Sequence, residues 1–389
     1  MVHIPVVAPL DASRLVIEQT SAPKPMPESS TLVFGQTFTD HMLTVPWSIE
    51  DGWGVPTIKP YGPLEISPAA TVLHYAPTLF EGMKAYKDKQ GRTRLFRPDM
   101  NMKRMLRGAE RMAFPTFDAD VLIELIKKLV ALDERWVPTD PGCSLYLRPT
   151  MIGTRASLGV GPSTEILLYV IMSPVAKYYA SGAKPVSLLC SSADVRAWPG
   201  GTGSYKFGSN YGPCVAPQME AAQQGYQQVL WIYEDYLTEV GMMNAFCAFS
   251  RDDGSVELAT PPLLDMILPG VTRDSVLGLA RAHADPSNPF RLEGLPDKLV
   301  VSERQITMAE VRQAAIEGKL MEVFGSGTAA IITSVERIGY QAKGAEQRED
   351  IKVPVEGGAG MGPIAGAMYE CLQQVQYGDV AHSNWSVLV

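Results

Sequence analysis

The pattern of apolar residues predicts an α+β chain in two domains, a small mixed domain followed by a larger β-rich one. Three observations carry that expectation. The 389 residues amount to two or three times the roughly 150 of a typical domain. Helical and strand-like periodicities alternate through the first half. Between that half and a later series of short strand-like runs lies Pro174-Val-Ala-Lys-Tyr-Tyr-Ala-Ser-Gly-Ala-Lys-Pro185, a proline- and glycine-marked break of the kind that separates domains. The expected division is an arm and small domain at 1–173, an interdomain loop at 174–185 and a large domain at 186–389.

Taken in order, residues 1 to about 30 carry Pro5, Pro9, Pro23, Pro25 and Pro27 and read as an irregular arm without a catalytic part. Thr31 to Phe34 is the first strand-like run. In Asp99 to Met112, Met102, Met105, Leu106, Ala109 and Met112 recur at steps of three and four, which predicts a helix capped by Asp99. Val121 to Leu132 repeats that pattern. Ser144 to Leu147 and Ile166 to Ser173 then read as strands. In the second half, strands are expected at Val186 to Cys190, Val229 to Tyr233, Ala245 to Phe249 and Ala330 to Val335. Helices are expected at Thr272 to His283, Thr307 to Glu317 and Gly362 to Gln376, the second opening on a Thr307-x-x-Glu310 capping box.

Composition narrows the function classes. Hydrophobic residues make up 46% and charged residues 20%, the ordinary globular range. Forty-two acids against 34 bases leave a net charge of −8, so no positive field attracts nucleic acid. The longest apolar run, Ile166 to Met172, is far short of the roughly 20 residues of a membrane helix, which predicts a soluble protein. Cys143, Cys190, Cys214, Cys247 and Cys371 form no C-x-x-C pair or metal-type cluster and suit free thiols in a reducing compartment. The first 30 residues lack a secretory core and carry Asp11, Glu18 and Glu28 against Arg14 and Lys24, a poor transit peptide. A cytoplasmic protein, or a processed mitochondrial form, is the expectation.

The most unusual local composition is Gly200-Gly-Thr-Gly-Ser-Tyr-Lys206-Phe-Gly-Ser-Asn-Tyr211-Gly-Pro213. Glycines admit a ligand close to the backbone, and aromatic walls desolvate an amine so that it attacks a carbonyl. Lys206 fits a Schiff-base lysine. Local composition alone favours a surface lysine in a glycine-rich turn. Glu239, in Thr238-Glu-Val-Gly-Met-Met-Asn-Ala-Phe246, is a carboxylate among apolar neighbours and needs a partner. A pyridinium nitrogen is one such partner and an ordinary salt bridge another. The Leu268-Pro-Gly-Val271-Thr272 turn runs into a helix whose N-terminus suits a phosphate, or only caps itself. Gly325-Ser-Gly-Thr328-Ala329 is a second small-residue turn, and Arg104 a cation on the helix face away from the methionines. Together, a candidate Schiff-base lysine, a buried acid, two anion-friendly turns and an arginine, with no metal cluster and no complete G-x-G-x-x-G or P-loop, suit pyridoxal 5'-phosphate.

At these residues the sequence resembles the branched-chain amino acid aminotransferases of the eukaryotic type, in the fold-type IV group of pyridoxal phosphate enzymes. The resemblance runs from Phe34-Gly-Gln-Thr-Phe-Thr-Asp-His-Met-Leu43 through His74-Tyr-Ala-Pro-Thr-Leu-Phe-Glu-Gly-Met-Lys-Ala85, Leu95-Phe-Arg-Pro98, Arg196-Ala-Trp198, the Lys206 segment, Glu239-Val-Gly241 and Phe324-Gly-Ser-Gly-Thr328 to about Tyr377. It implies Lys206 as the internal aldimine and proton shuttle, Glu239 at the pyridine nitrogen and Tyr211 near the ring hydroxyl. For the phosphate it implies Arg104, Val271, Thr272 and Thr328. The cofactor is expected between the two domains. The implied reaction moves the amino group of leucine, isoleucine or valine to 2-oxoglutarate. Phe34, Phe80 and Tyr146 form the implied apolar wall, Tyr75 and Arg148 receive the distal carboxylate of glutamate, and Ala329 also lines the substrate. Leu158 and Val160 are expected to reach into the partner's site in a homodimer.

Two positions depart from that pattern. Met242 stands where relatives often carry a small or hydroxyl residue, and it donates no hydrogen bond to a substrate carboxylate. Ala330 and Thr333 occupy the places of a C-x-x-C pair found in some animal relatives, so no thiol switch is expected there. The same fold leaves a D-amino acid or (R)-amine transaminase, an aminodeoxychorismate lyase, or a silent cofactor-binding protein as alternatives.

Overall fold

The computed structural model describes residues 7–177, 184–191, 194–342, 344–355 and 360–389. The chain forms two compact units, one of Met1–Tyr178, Tyr205–Ser209 and Val375–Val389, the other of Tyr179–Ser204 and Asn210–Gln374. The first change of unit falls inside the expected interdomain loop, whose residues 178–183 lie outside those described. The later part is not the unbroken 186–389 of the sequence reading, because the Lys206 segment and the C-terminus rejoin the first unit.

The first unit is built on a sheet that, among the described residues, has ten strands. In chain order its elements are β1 (Val16–Ile17), β2 (His41–Ser48), β3 (Gly52–Trp53), β4 (Thr57–Pro60), α1 (Thr71–Tyr75), β5 (Thr78–Phe80), β6 (Met83–Lys87), β7 (Thr93–Phe96), α2 (Pro98–Arg111), α3 (Ala119–Leu132), β8 (Ser144–Gly153) and β9 (Glu165–Val175). A last strand, Ser386–Leu388, pairs with β7. The long β8 pairs antiparallel with β9, β6 and β5. Helix α2 starts one residue before the expected cap, since Arg97 turns left-handed at φ 47° and Pro98 takes the first helical position, where its missing N–H costs nothing. Its fully buried Met102, Met105 and Ala109 join Leu122, Leu125, Ile126 and Leu129 of α3 in one core with the sheet. Asp118 caps α3 by accepting from the N–H groups of Asp120 and Val121. The expected strand at Thr31 to Phe34 does not form: a short helical turn takes Ser29–Thr31, and Gly35 at φ 71° breaks the extended path.

The second unit has a nine-stranded mixed sheet among its described residues. Its elements are β10 (Val186–Ser191), α4 (Val215–Gln223), β11 (Gln228–Tyr233), β12 (Tyr236–Val240), β13 (Met243–Ser250), β14 (Val256–Thr260), α5 (Val271–Ala284), β15 (Leu299–Glu303), α6 (Met308–Ile316), β16 (Leu320–Gly327), β17 (Ile331–Tyr340), β18 (Glu349–Lys352) and α7 (Pro363–Gln376). β10 runs parallel to both β11 and β17, and β13 antiparallel to β14 and β16. Phe246 stacks on Phe324 at 5.1 Å in its core. Thr307 caps α6 by accepting from the Glu310 N–H. Helix α5 starts at Val271, one residue before the expected Thr272, with Gly270 at its cap position. No described helix is long and apolar enough to cross a membrane, and all five cysteines are buried and unpaired.

Candidate active site

Lys206 belongs to the first unit because its backbone is stitched to β5. The Phe80 N–H donates to the Lys206 carbonyl at 3.1 Å, and Leu79 and Phe207 form an antiparallel bridge. Gly208 makes this approach possible, since a Cβ there would lie 2.5 Å from the Thr78 methyl. The rings of Tyr205 and Phe207 stack at 5.2 Å, with the Arg107 guanidinium 4.5 Å above Tyr205. The amine of Lys206 instead lies 4.9 Å from the centre of the Phe80 ring.

The Phe80 ring also takes the guanidinium of Arg148 at 4.5 Å. Arg148 Nη2 donates to Tyr146 Oη at 2.9 Å, and its Nε is buried with no hydrogen-bond partner. Phe34 meets Tyr146 edge-on at 5.0 Å. Phe34, Tyr146 and Arg148 line a cavity of about 160 Å³ together with Gly35, Phe38, Ile171, Met172 and Ser173. An apolar cavity of roughly 150 Å³ holds a benzene-sized group. Gly82 keeps Tyr146 in place by omission, because a Cβ there would fall 2.1 Å from its Oη. Tyr75 does not line the cavity; its hydroxyl donates to the Leu158 carbonyl. Leu158 and Val160 themselves are 65% and 83% exposed.

Arg104 is not on a solvated helix face. It is buried, and its Nε and Nη2 donate to Glu81 at 2.8 and 2.6 Å. The fully buried Glu81 also accepts from Asn101 Nδ2 at 2.8 Å. Sequence reading assigned no role to Glu81 or Asn101; a buried arginine needs such a carboxylate, but nothing local says which one.

Lys84 is another residue to which the motifs gave no role. It lies directly across from Tyr146 in the β6–β8 register, and burial pushes its ammonium from 10.5 down to about 8. A lysine lowered on folding binds fewer protons folded than unfolded between those two values, so stability rises with pH through that window and the burial penalty is complete below it. Lys84→Met is therefore expected to gain more in thermal midpoint over the wild type at pH 7 than at pH 10. Comparing the two proteins at both pH values cancels any packing change, and a gap independent of pH would refute the assignment.

In the second unit, Glu239 is 3% exposed and lies opposite Asn244 across β12 and β13. It pairs with Arg196 and accepts from the Leu268 N–H at 3.0 Å. Asn244 Nδ2 donates to the Leu268 carbonyl at 2.8 Å, and a Cβ on Gly270 would lie 2.0 Å from Asn244 Oδ1. Glu239 and Asn244 thus hold the Leu268-Pro-Gly270 turn that feeds α5. No side chain caps that helix, which leaves the first N–H groups at Val271 and Thr272 available to an anion. Ser326, paired with Asn244 in register, has a buried hydroxyl without a partner. Thr328 and Ala329 occupy the following turn between β16 and β17. Tyr211 precedes the Gly212–Cys214 turn and accepts the Cys214 N–H at 3.1 Å. Met242, beside Gly241 at φ 55°, is 67% exposed. Asn244 is the residue here that sequence reading passed over, because its partners lie on a turn about 24 positions away.

Comparison with known proteins matches residues 78–338 to the family model of amino-transferase class IV. The mitochondrial branched-chain-amino-acid aminotransferase of Saccharomyces cerevisiae is 49% identical over 98% of this chain and 94% of its own. The branched-chain-amino-acid aminotransferase of Dictyostelium discoideum is 46% identical over 98% of this chain and 96% of its own. Among solved structures, the branched-chain amino acid aminotransferase of Escherichia coli aligns with a TM-score of 0.66 at 22% identity, covering 89% of this chain and 98% of that one. The enzyme of Thermobaculum terrenum in its PLP form aligns with a TM-score of 0.67 at 21% identity, covering 91% and 99%.

Proposed function

The chain belongs to the class IV aminotransferases and, at 46–49% identity along nearly its whole length, to their branched-chain-amino-acid aminotransferases, and from that premise we propose that it moves the amino group of L-leucine, L-isoleucine or L-valine to 2-oxoglutarate through Lys206. The observation that carries the substrate reading is the cavity of Phe34, Tyr146 and Arg148, which shares the Phe80 ring with the Lys206 amine. It presents apolar surface and one guanidinium together, as a site must if it takes both an aliphatic side chain and a carboxylate.

The residues present fit pyridoxal 5'-phosphate. The N-terminus of α5, uncapped by any side chain, and the unpartnered Ser326 hydroxyl suit its phosphate, with Thr328 in the next turn. Glu239, with its charge opposed by Arg196, suits a pyridinium N–H. Arg104 is tied to Glu81, which fixes its guanidinium for a second acceptor, and Tyr211 is assigned the ring hydroxyl. When bound, the cofactor supplies an electron sink that acidifies the Cα–H of an amino acid. Lys206 holds it covalently and, once freed, moves the Cα proton. Phe34, Phe80 and Tyr146 orient the aliphatic side chain and exclude water, while Arg148 binds the distal carboxylate of glutamate. Ala329 is assigned to the substrate as well. Tyr75, whose hydroxyl goes to Leu158, supports that loop in this reading, and the exposed Leu158 and Val160 are assigned to a partner's site in a homodimer.

Glutamate formation from 2-oxoglutarate, followed with L-leucine, L-isoleucine, L-valine, D-alanine and an (R)-arylamine as separate donors, tests the reading. Turnover with the three branched L-amino acids is expected to exceed the others by on the order of 100-fold. Preference for the D-amino acid or the amine would overturn the substrate assignment and point to Met242.

A further inference from the structure

The Phe34-to-Leu43 motif holds more than a wall residue. Residues 25–38 include no buried position, so this loop, which carries Phe34 to the cavity, has no core of its own. Its order comes from its base. The Lys24 N–H donates to Asp40 Oδ1 at 2.9 Å, and the Lys24 ammonium donates to the carbonyls of Phe38 and Thr39 at 3.2 and 2.8 Å. Arg135 closes the same point, donating to the Lys24 carbonyl at 2.8 Å and to Asp40 Oδ2 at 2.6 Å. The Trp136 indole N–H adds a bond to Asp40 at 2.8 Å. Just outside, His41 Nε2 accepts the Thr20 N–H at 3.0 Å, which leaves its Nδ1–H to donate to Asp133 at 2.6 Å.

The clasp is joined to the cavity by rings. The Lys24 ammonium sits 4.5 Å over Tyr61, Tyr61 stacks on Phe38 at 4.8 Å, and Phe38 lines the cavity with Phe34. Two ends held together this way make a compact surface loop whose tip is positioned by its base. We propose that residues 25–38 are a clasped wall of the substrate cavity, and that Lys24 and Asp40 are positioning residues that set how closely Phe34 seats on an apolar substrate side chain. Loosening the clasp weakens binding of aliphatic donors more than of glutamate, whose distal carboxylate is held by Arg148 on β8. The inference rests on the substrate reading above.

The test is a double-mutant cycle on the intact enzyme with Lys24→Met, Phe34→Ala and both together, with kcat and KM measured for L-leucine and L-glutamate. Lys24→Met is expected to raise the leucine KM roughly tenfold and to leave kcat within about twofold. The glutamate KM should move by less, Lys24→Arg should restore the leucine value, and Lys24→Met should add nothing once Phe34 is alanine, because coupled residues are not additive. Independent, multiplying effects, an unchanged leucine KM, or an equal loss of kcat for both donors would overturn the proposal. Should Lys24→Met not fold, Lys24→Gln carries the same cycle. A wild type that rejects branched donors would fail the substrate reading alone, and the cycle run on whichever apolar donor turns over would still decide the loop.

Discussion

Replacing Lys206 with alanine is expected to lower turnover by at least about 10⁴-fold, the upper range for loss of a positioned acid–base group, while the protein stays folded. The second half of that expectation comes from the backbone. What ties this segment to β5 is the Lys206 carbonyl, the Leu79–Phe207 bridge and the closeness of Gly208 to Thr78, none of which uses the amine. Among the contacts that alanine removes is that of the ammonium near the Phe80 ring, about 0.5–1 kcal/mol for an interaction of this kind. A thermal midpoint close to the wild type with turnover lost would therefore locate the defect in the chemistry. Lys206→Arg sharpens the test. It keeps a cation near Phe80, yet a guanidinium does not deprotonate in proteins and cannot attack a carbonyl, so it should be as inactive as alanine. Wild-type turnover in K206A, or substantial activity in K206R, would sink the mechanism.

The close backbone approach in the Lys206 segment, Gly208 against Thr78, was legible because the composition that signals it is local: glycines and aromatic residues fall within a few positions of one another. The helices α2 and α3 and the strands β8 and β9 were legible for the same reason, since their apolar period reports burial directly. Partners are a different matter. Asp133 is 92 residues from His41, Glu81 is 23 from Arg104 and Leu268 is 29 from Glu239. Apolar neighbours say that a group such as Glu239 needs a counterpart, but not which stretch of chain supplies it. The same limit explains the Lys206 segment, which interrupts the second unit in sequence, and the C-terminus, which follows it: the one joins the first unit through the Leu79–Phe207 bridge and the other through strand pairing with β7. Thr31 to Phe34 failed as a strand for the opposite reason: a short apolar run is satisfied as well by a loop that presents Phe34 to a cavity.

Arg148→Met should separate the two kinds of substrate. Arg148 contacts Phe80 and Tyr146 through its guanidinium face and donates one bond to the Tyr146 hydroxyl, while its Nε remains buried without an acceptor. A buried donor left idle is costly to keep, and the distal carboxylate of glutamate or 2-oxoglutarate is the acceptor that would complete it. A hydrogen bond to a charged group is worth about 1.5–3 kcal/mol, so the glutamate half-reaction should lose roughly 10- to 150-fold in kcat/KM. Methionine keeps the unbranched apolar stem, so the leucine half-reaction should stay within a few-fold of the wild type. Single-turnover measurements of each half-reaction avoid mixing donor and acceptor effects. Arg148→Lys should fall between, since an ammonium preserves the charge but not the planar fork. Equal losses for both amino acids would make Arg148 a support for Tyr146 and not the carboxylate's receptor, and the coexistence of an apolar wall with one guanidinium would no longer carry the substrate reading.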